Sequence, residues 1–155
     1  MKKFLFLFLG VSSIFATKPE APKFLTIESA RAISLKAGTS VVTTVTVKID
    51  PVFHIQANPV IQPNLIPTTI DFPEQEGIVL EGVTYPEGKI FRLENSDKDL
   101  MVYGGEANFK VKFFAKSAKP GKVEMAGTFK FQPCNDKICF FPTRYALKIP
   151  IQVVK

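Results

Sequence analysis

The sequence predicts an all-β chain, a single immunoglobulin-like β-sandwich domain, and three observations carry that expectation. Residues alternate with period two in run after run, as in the β-branched series Val41, Thr43, Val45, Val47 and Ile49, which is the pattern of a strand with one buried face. The runs are short and are parted by turn chemistry such as Ala118-Lys119-Pro120-Gly121, as in sheet proteins. No helical period persists beyond two turns. The two cysteines lie too close together to form the inter-sheet pair of an antibody domain, and the packing Trp is absent. The expected sandwich is therefore one without that bridge.

Taken in order, the chain opens with a secretory signal peptide, expected over residues 1–16. Lys2 and Lys3 supply its positive start, Phe4 to Leu9 its apolar stretch, and Ala16 a small residue at the cleavage point. That stretch is too short for a membrane anchor, which needs about 20 apolar residues. Residues 17–23, with Pro19 and Pro22, read as a flexible leader, and residues 24–155 as the domain. The mature protein is expected to be exported and soluble.

Within the domain, strands are expected at 31–35, 41–49 and 53–56, followed by a proline-punctuated loop over 57–67. Further strands fall at 68–72, 78–84 and 89–93, with Tyr85-Pro86-Glu87-Gly88 as a turn. Residues 94–99 are polar and loop-like. Phe109, Val111 and Phe113 form one face of a strand whose other face carries Lys110 and Lys112. Val123, Met125, Gly127, Phe129 and Phe131 alternate into the cysteines. A last strand puts Tyr145, Leu147, Ile149, Ile151 and Val153 on one face, with Pro150 marking an edge or a bulge.

Composition narrows the function classes. The formal charge of +6 falls to about +4 once Lys2 and Lys3 are removed. The lysines alternate with apolar residues along strands, which gives a solvated outer face and no nucleic-acid patch. The full sequence has fifteen Phe and no Trp, which suggests a Phe-rich core, and the chain keeps 139 of its 155 residues after cleavage at 16. No Ser-His-acid set, phosphate-binding Gly loop or catalytic carboxylate pair stands out. A zinc site falls short of four ligands, with two cysteines and one distant His, so neither a metal nor another cofactor is expected.

The chemistry concentrates in Phe131-Gln132-Pro133-Cys134-Asn135-Asp136-Lys137-Ile138-Cys139-Phe140-Phe141-Pro142, which holds both cysteines with four residues between them. A tight turn of that length can bring the sulfurs to bonding distance, and export permits a disulfide. Two readings stay open from the residues alone. The bridge is either a staple on a hairpin, closing a short ring worth about 2 kcal/mol, or a pair that opens and closes in exchange with partner thiols. His54 lies on the strand face opposite Phe53 and Ile55, with Gln56 beside it. From the residues alone, a lone His in mid-strand is ordinarily a satisfied structural residue.

The cysteine stretch resembles the N-terminal periplasmic domain of the thiol:disulfide interchange protein DsbD. In that family a strand ending in an aromatic and Gln enters a cysteine, a short acidic loop, a second cysteine and aromatic-Pro. Here these are Phe131-Gln132, Cys134, Asn135-Asp136, Cys139 and Phe140-Phe141-Pro142. The likeness extends to Val102-Tyr103-Gly104-Gly105-Glu106 and, more faintly, to Phe53-His54-Ile55. It implies the same immunoglobulin-like fold and a thiol:disulfide oxidoreductase, with Cys139 bonding to partners and Cys134 resolving the mixed disulfide. Residues 99–105 match the family's cap loop, which covers the cysteines. Val102 stands where better-known members carry a shielding Phe, so Tyr103, or failing that Met101, is expected to cover the sulfurs here. The other reading of that segment is an ordinary inter-strand loop.

The resemblance further implies a periplasmic module that relays reducing equivalents through Cys134 and Cys139. Its donor would be a separate membrane-embedded or thioredoxin-like protein, and its acceptors periplasmic proteins, with no cofactor. The family places an aromatic near the position of His54 beside the cysteines, so the resemblance implies a cleft lined by His54, Gln56 and Phe140 in which His54 assists proton transfer. The alternative is a β-sandwich binding or assembly module whose hairpin disulfide is purely structural.

Overall fold

In the computed structural model residues 23–28 and 30–155 are described. The expected signal peptide, and the leader up to residue 22, lie outside the described residues. Twelve strands follow in order, with no helix among the described residues: β1 (Leu25–Ile27), β2 (Ile33–Lys36), β3 (Ser40–Ile49), β4 (His54–Gln56), β5 (Thr69–Asp71), β6 (Ile78–Thr84), β7 (Lys89–Arg92), β8 (Asp99–Tyr103), β9 (Glu106–Ala115), β10 (Gly121–Phe131), β11 (Pro133–Cys134) and β12 (Thr143–Val154). They form three four-stranded sheets, ordered β1-β3-β9-β6, β2-β12-β10-β5 and β11-β4-β8-β7. The fold is an all-β, immunoglobulin-like sandwich.

Alternation in the sequence becomes the core directly. On β9 the side chains of Ala107, Phe109, Val111, Phe113 and Ala115 are buried, while Lys110 and Lys112 face water. On β10 Met125, Phe129 and Phe131 are buried, and β12 contributes Leu147, Ile149, Ile151 and Val153. The first two sheets meet through these rows. Phe109 of β9 sits edge-on to Phe129 of β10 at 5.4 Å between ring centres, and Phe72 is edge-on to Phe113 at 5.1 Å. Such perpendicular pairs are a favoured aromatic geometry.

Two elements differ from the sequence reading, and at Pro150 the expected edge is found locally. The segment 99–105, expected as a cap loop, is strand β8 over Asp99–Tyr103, paired with β4 on one side and β7 on the other. Its apolar run Leu100-Met101-Val102-Tyr103 is satisfied by a strand on each flank, which leaves no long free loop there. The short β1 was not foreseen; it adds Leu25 against Ile49 at the edge of the first sheet. Pro150 lies in a strand that β10 flanks along its length, but β2 pairs with β12 only from Ile151 onward. At Pro150 itself the strand has a neighbour on one side only, so its missing N–H costs no ladder bond on the open side.

Candidate redox site

The third sheet carries the cysteines. β10 runs through Gln132 into the two-residue β11, which pairs with β4 in the register Pro133 with Ile55 and Cys134 with His54. A tight turn then brings Cys139 back opposite Cys134. Asn135 makes that turn: its Oδ1 accepts hydrogen bonds from the Lys137 and Ile138 amides at 2.9 and 2.8 Å. The Asn135 N–H also donates to the Ile138 carbonyl at 3.0 Å. A short side chain bonding two residues onward is the usual reason for Asn in such turns. Cys134 and Cys139 are joined, S–S 2.03 Å.

The two sulfurs live in different surroundings. Cys134 is fully buried, 0% exposed, whereas Cys139 is half-buried at the surface of the hairpin. Below Cys139 the ring of Phe140 packs on Phe24 at 5.5 Å and Phe53 at 5.9 Å, which anchors the returning arm. Phe141, next in the chain, is 92% exposed, and Ile138 is exposed on the other side of Cys139. An apolar rim beside a reachable sulfur is a surface that a protein partner can cover.

Register sorts the remaining expected residues onto two faces. Paired residues on neighbouring antiparallel strands point to the same side of the sheet. His54 and Gln56 therefore share the face of Cys134, and Val102, opposite Gln56, joins them. Val102 is 2% exposed. Met101 and Tyr103, which alternate with it, point to the other face. There Tyr103 stands edge-on to Phe109 at 5.5 Å, and its hydroxyl accepts a 3.0 Å hydrogen bond from the Asn58 amide. Burial pushes its phenol up from the ordinary value. Met101 packs against the same main core. Of the three residues named for the cap, only Val102 lies on the face of the cysteines.

His54 is held in a tight frame. Its ring stacks on Phe91 of β7 with centres 4.1 Å apart, and a Cβ on Gly104 would come within 2.9 Å of its Cδ2. Glycine at 104 is what lets the backbone approach the imidazole. Burial lowers the His54 pKa, and its buried Nδ1 has no hydrogen-bond partner in the protein. A shallow depression joins Phe53, His54 and Phe91 to Asn135 and Asp136 of the cysteine turn. The Glu94 amide also donates to the Asp136 carbonyl at 2.7 Å, tying the end of β7 to that turn.

Gln56 makes the closest contact with the disulfide. Its Nε2 donates to Cys134 Sγ at 3.2 Å and to Cys139 Sγ at 3.7 Å. Sequence reasoning missed Phe91 and quoted Gln132 only as part of the cysteine stretch, with no role of its own. Phe91 forms the wall beside His54. Gln132 clips the hairpin in place, its Oε1 accepting from the Ile66 amide at 2.8 Å and its Nε2 donating to the Phe140 carbonyl at 3.0 Å. An aromatic between charged Lys89 and Arg92 in a short strand was the available signal for Phe91.

Fold and site together define a class: an immunoglobulin-like sandwich that presents a short-ring cystine, one sulfur buried and one reachable, on a small end sheet. The sequence matches the family described as thiol:disulfide interchange protein DsbD, N-terminal, over residues 21–149, and the chain belongs to that family. Among solved structures it is similar to the N-terminal periplasmic domain of ScsB from Proteus mirabilis, at 12% identity and TM-score 0.52. That likeness covers 81% of this chain and 44% of the other, so the chain spans less than half of that structure. The reduced N-terminal domain of DsbD from Neisseria meningitidis matches at 15% identity and TM-score 0.46, covering 73% of this chain and 79% of that one. A search of curated protein sequences finds no match.

Proposed function

We propose that this protein is an exported thiol:disulfide interchange module of the periplasm, relaying reducing equivalents through Cys134 and Cys139. The observation that carries the reading is the asymmetry of the pair. Exchange proceeds by attack of a thiolate along one sulfur, through a mixed disulfide. A half-buried Cys139 beside exposed Ile138 and Phe141 suits the sulfur that meets a partner, and a buried Cys134 suits the one that resolves. Partners would be thioredoxin-like proteins, with a separate membrane-embedded protein as the source of electrons. Val102 and the His54–Phe91 stack serve in this reading as the fixed cover over the pair, in place of a mobile cap. Phe140 sets the position of the Cys139 arm.

The test is equilibration in glutathione and dithiothreitol buffers with free thiols counted, joined to trapping by single-cysteine variants. Structural disulfides lie below about −300 mV, whereas exchange-active pairs lie higher. The potential is expected above that boundary. Cys134→Ser should hold a thioredoxin-like partner as a lasting mixed disulfide, and Cys139→Ser should hold little. A bridge that resists reduction until the fold melts would make it a structural staple in a binding module.

A further inference from the structure

Gln56 is one of only two buried polar or charged residues among those described, the other being Thr68. A fully buried carboxamide needs a reason, because each of its unpaired groups carries a desolvation cost. The backbone of Gln56 is pinned on both sides. Its amide donates to the Gln132 carbonyl at 3.0 Å, and its carbonyl accepts from the Thr68 hydroxyl at 2.5 Å. The side chain has no such partners in the main chain. Its nitrogen reaches the two sulfurs, and its Oε1 is buried with no donor at all. Disulfide sulfurs only accept, and weakly, which orients the amide with its nitrogen toward them. In the oxidised protein this residue is thus poorly satisfied on both of its polar atoms.

We propose that the Gln56 carboxamide is a catalytic thiolate holder: it stabilises the sulfur of Cys134 as the leaving group when a partner thiolate attacks Cys139. This deepens, and rests on, the interchange reading above. In the step, the partner's thiolate forms a bond to Cys139 Sγ and the Cys134–Cys139 bond breaks. The bonding electron pair passes to Cys134 Sγ, which becomes a buried thiolate, and the partner is joined to Cys139 as a mixed disulfide. A second thiol from the partner then releases reduced Cys139, and a solvent proton completes the Cys134 thiol. The reverse sequence describes donation of electrons to a partner.

The Nε2–H group is already aimed at Cys134 Sγ in the disulfide form, so it needs no rearrangement to meet the new charge. A hydrogen bond to an ionised acceptor is roughly twice as strong as a neutral one, and a donor fixed where charge develops lowers the barrier. Once Cys134 is protonated, its S–H can donate to the orphaned Oε1 instead. Both reduced forms therefore gain more from Gln56 than the disulfide does. The residue favours reduction and makes Cys134 a better leaving group, because a lower leaving-group pKa speeds exchange.

The experiment measures three quantities in Gln56→Leu and Gln56→Met beside the parent protein. In both variants the equilibrium constant for reduction should fall about tenfold, a shift of about 30 mV toward more negative potential for this two-electron couple. With Cys139→Ser in the background, the Cys134 thiol should titrate at clearly higher pH once the amide is gone. In the Cys139→Ser protein with Gln56 intact, a side-chain amide proton of Gln56 should shift in the NMR spectrum with the same midpoint as the thiol. This last readout needs no change at Gln56, so a variant that fails to fold leaves the proposal exposed to refutation. An unmoved amide resonance, or an unchanged potential in a folded variant, overturns the role of Gln56 while leaving interchange intact. A parent protein that exchanges with no thiol fails the interchange reading itself.

Discussion

The two large sheets and the small end sheet solve opposite problems. β3, β9, β10 and β12 are 10 to 12 residues long and face each other through fully buried Phe109, Phe113, Phe129 and Phe131. The end sheet is made of strands of 2 to 5 residues. It carries the polar amide, the unpaired imidazole nitrogen and the cystine. Leu100 and Val102 are buried there, yet they stand apart from the main core cluster. The large sheets supply stability, and the small one holds groups that stability alone does not favour. Such local conflicts with packing rules are where function concentrates.

The largest effects come from weakening each region in turn and measuring both stability and redox behaviour. Phe109→Ala removes a ring that touches Tyr85, Tyr103 and Phe129. It should cost about 3–5 kcal/mol in urea unfolding, the range for a buried aromatic truncated to Ala. Replacing both cysteines with Ala should cost about 2 kcal/mol, because the ring they close is short. If the cysteine pair proves the more costly loss, the bridge is a staple and the division of labour is wrong.

The same contrast explains what the sequence made legible. On β9 and β10 period-two alternation and burial are one fact seen twice, so their inward faces could be named from the residues. β8 could not, because Leu100, Met101, Val102 and Tyr103 are all apolar and show no alternation. Such a run belongs to a strand covered on both faces, and only the pairing to Ile55 and Gln56 tells which side each residue takes. The cysteine hairpin was legible from its spacing and turn residues. The roles of Gln56 and Phe91 were not, since they depend on contacts between distant segments, His54 with Phe91 across 37 positions and Gln56 with Cys134 across 78.

A smaller effect is expected at the cover over the cysteines. On this geometry Val102→Ala and Phe91→Ala open the cysteine face, and each should speed reduction by dithiothreitol severalfold with the fold intact. Met101→Ala and Tyr103→Phe act on the core face and should leave that rate near the parent value. Faster reduction in the second pair but not the first would restore Tyr103 or Met101 as the shield, through an opening of β8.

The smallest effect belongs to His54, the single histidine of the chain. Its pKa is lowered by burial, and Nδ1 faces no acceptor, so a proton there would place an uncompensated charge against Phe91 and Gly104. Asp136 also lines the depression beside it, but burial prevails. With the folded-state pKa below the unfolded value of about 6.5, both states are neutral above that pH and His54 adds no pH dependence. As the pH falls below it, the unfolded chain binds the proton first, so stability declines until the folded-state pKa is passed. Urea midpoints between about pH 7 and 5, above most carboxylate titration, should therefore drift downward in the parent protein. His54→Phe keeps the stack on Phe91 and removes the proton site, so its midpoints should stay level over that window. A parent curve already level there, or a variant that drifts equally, would mean that the imidazole is wetter than its packing implies. The end sheet would then be open at His54, and the cover over the cysteines would reduce to Val102.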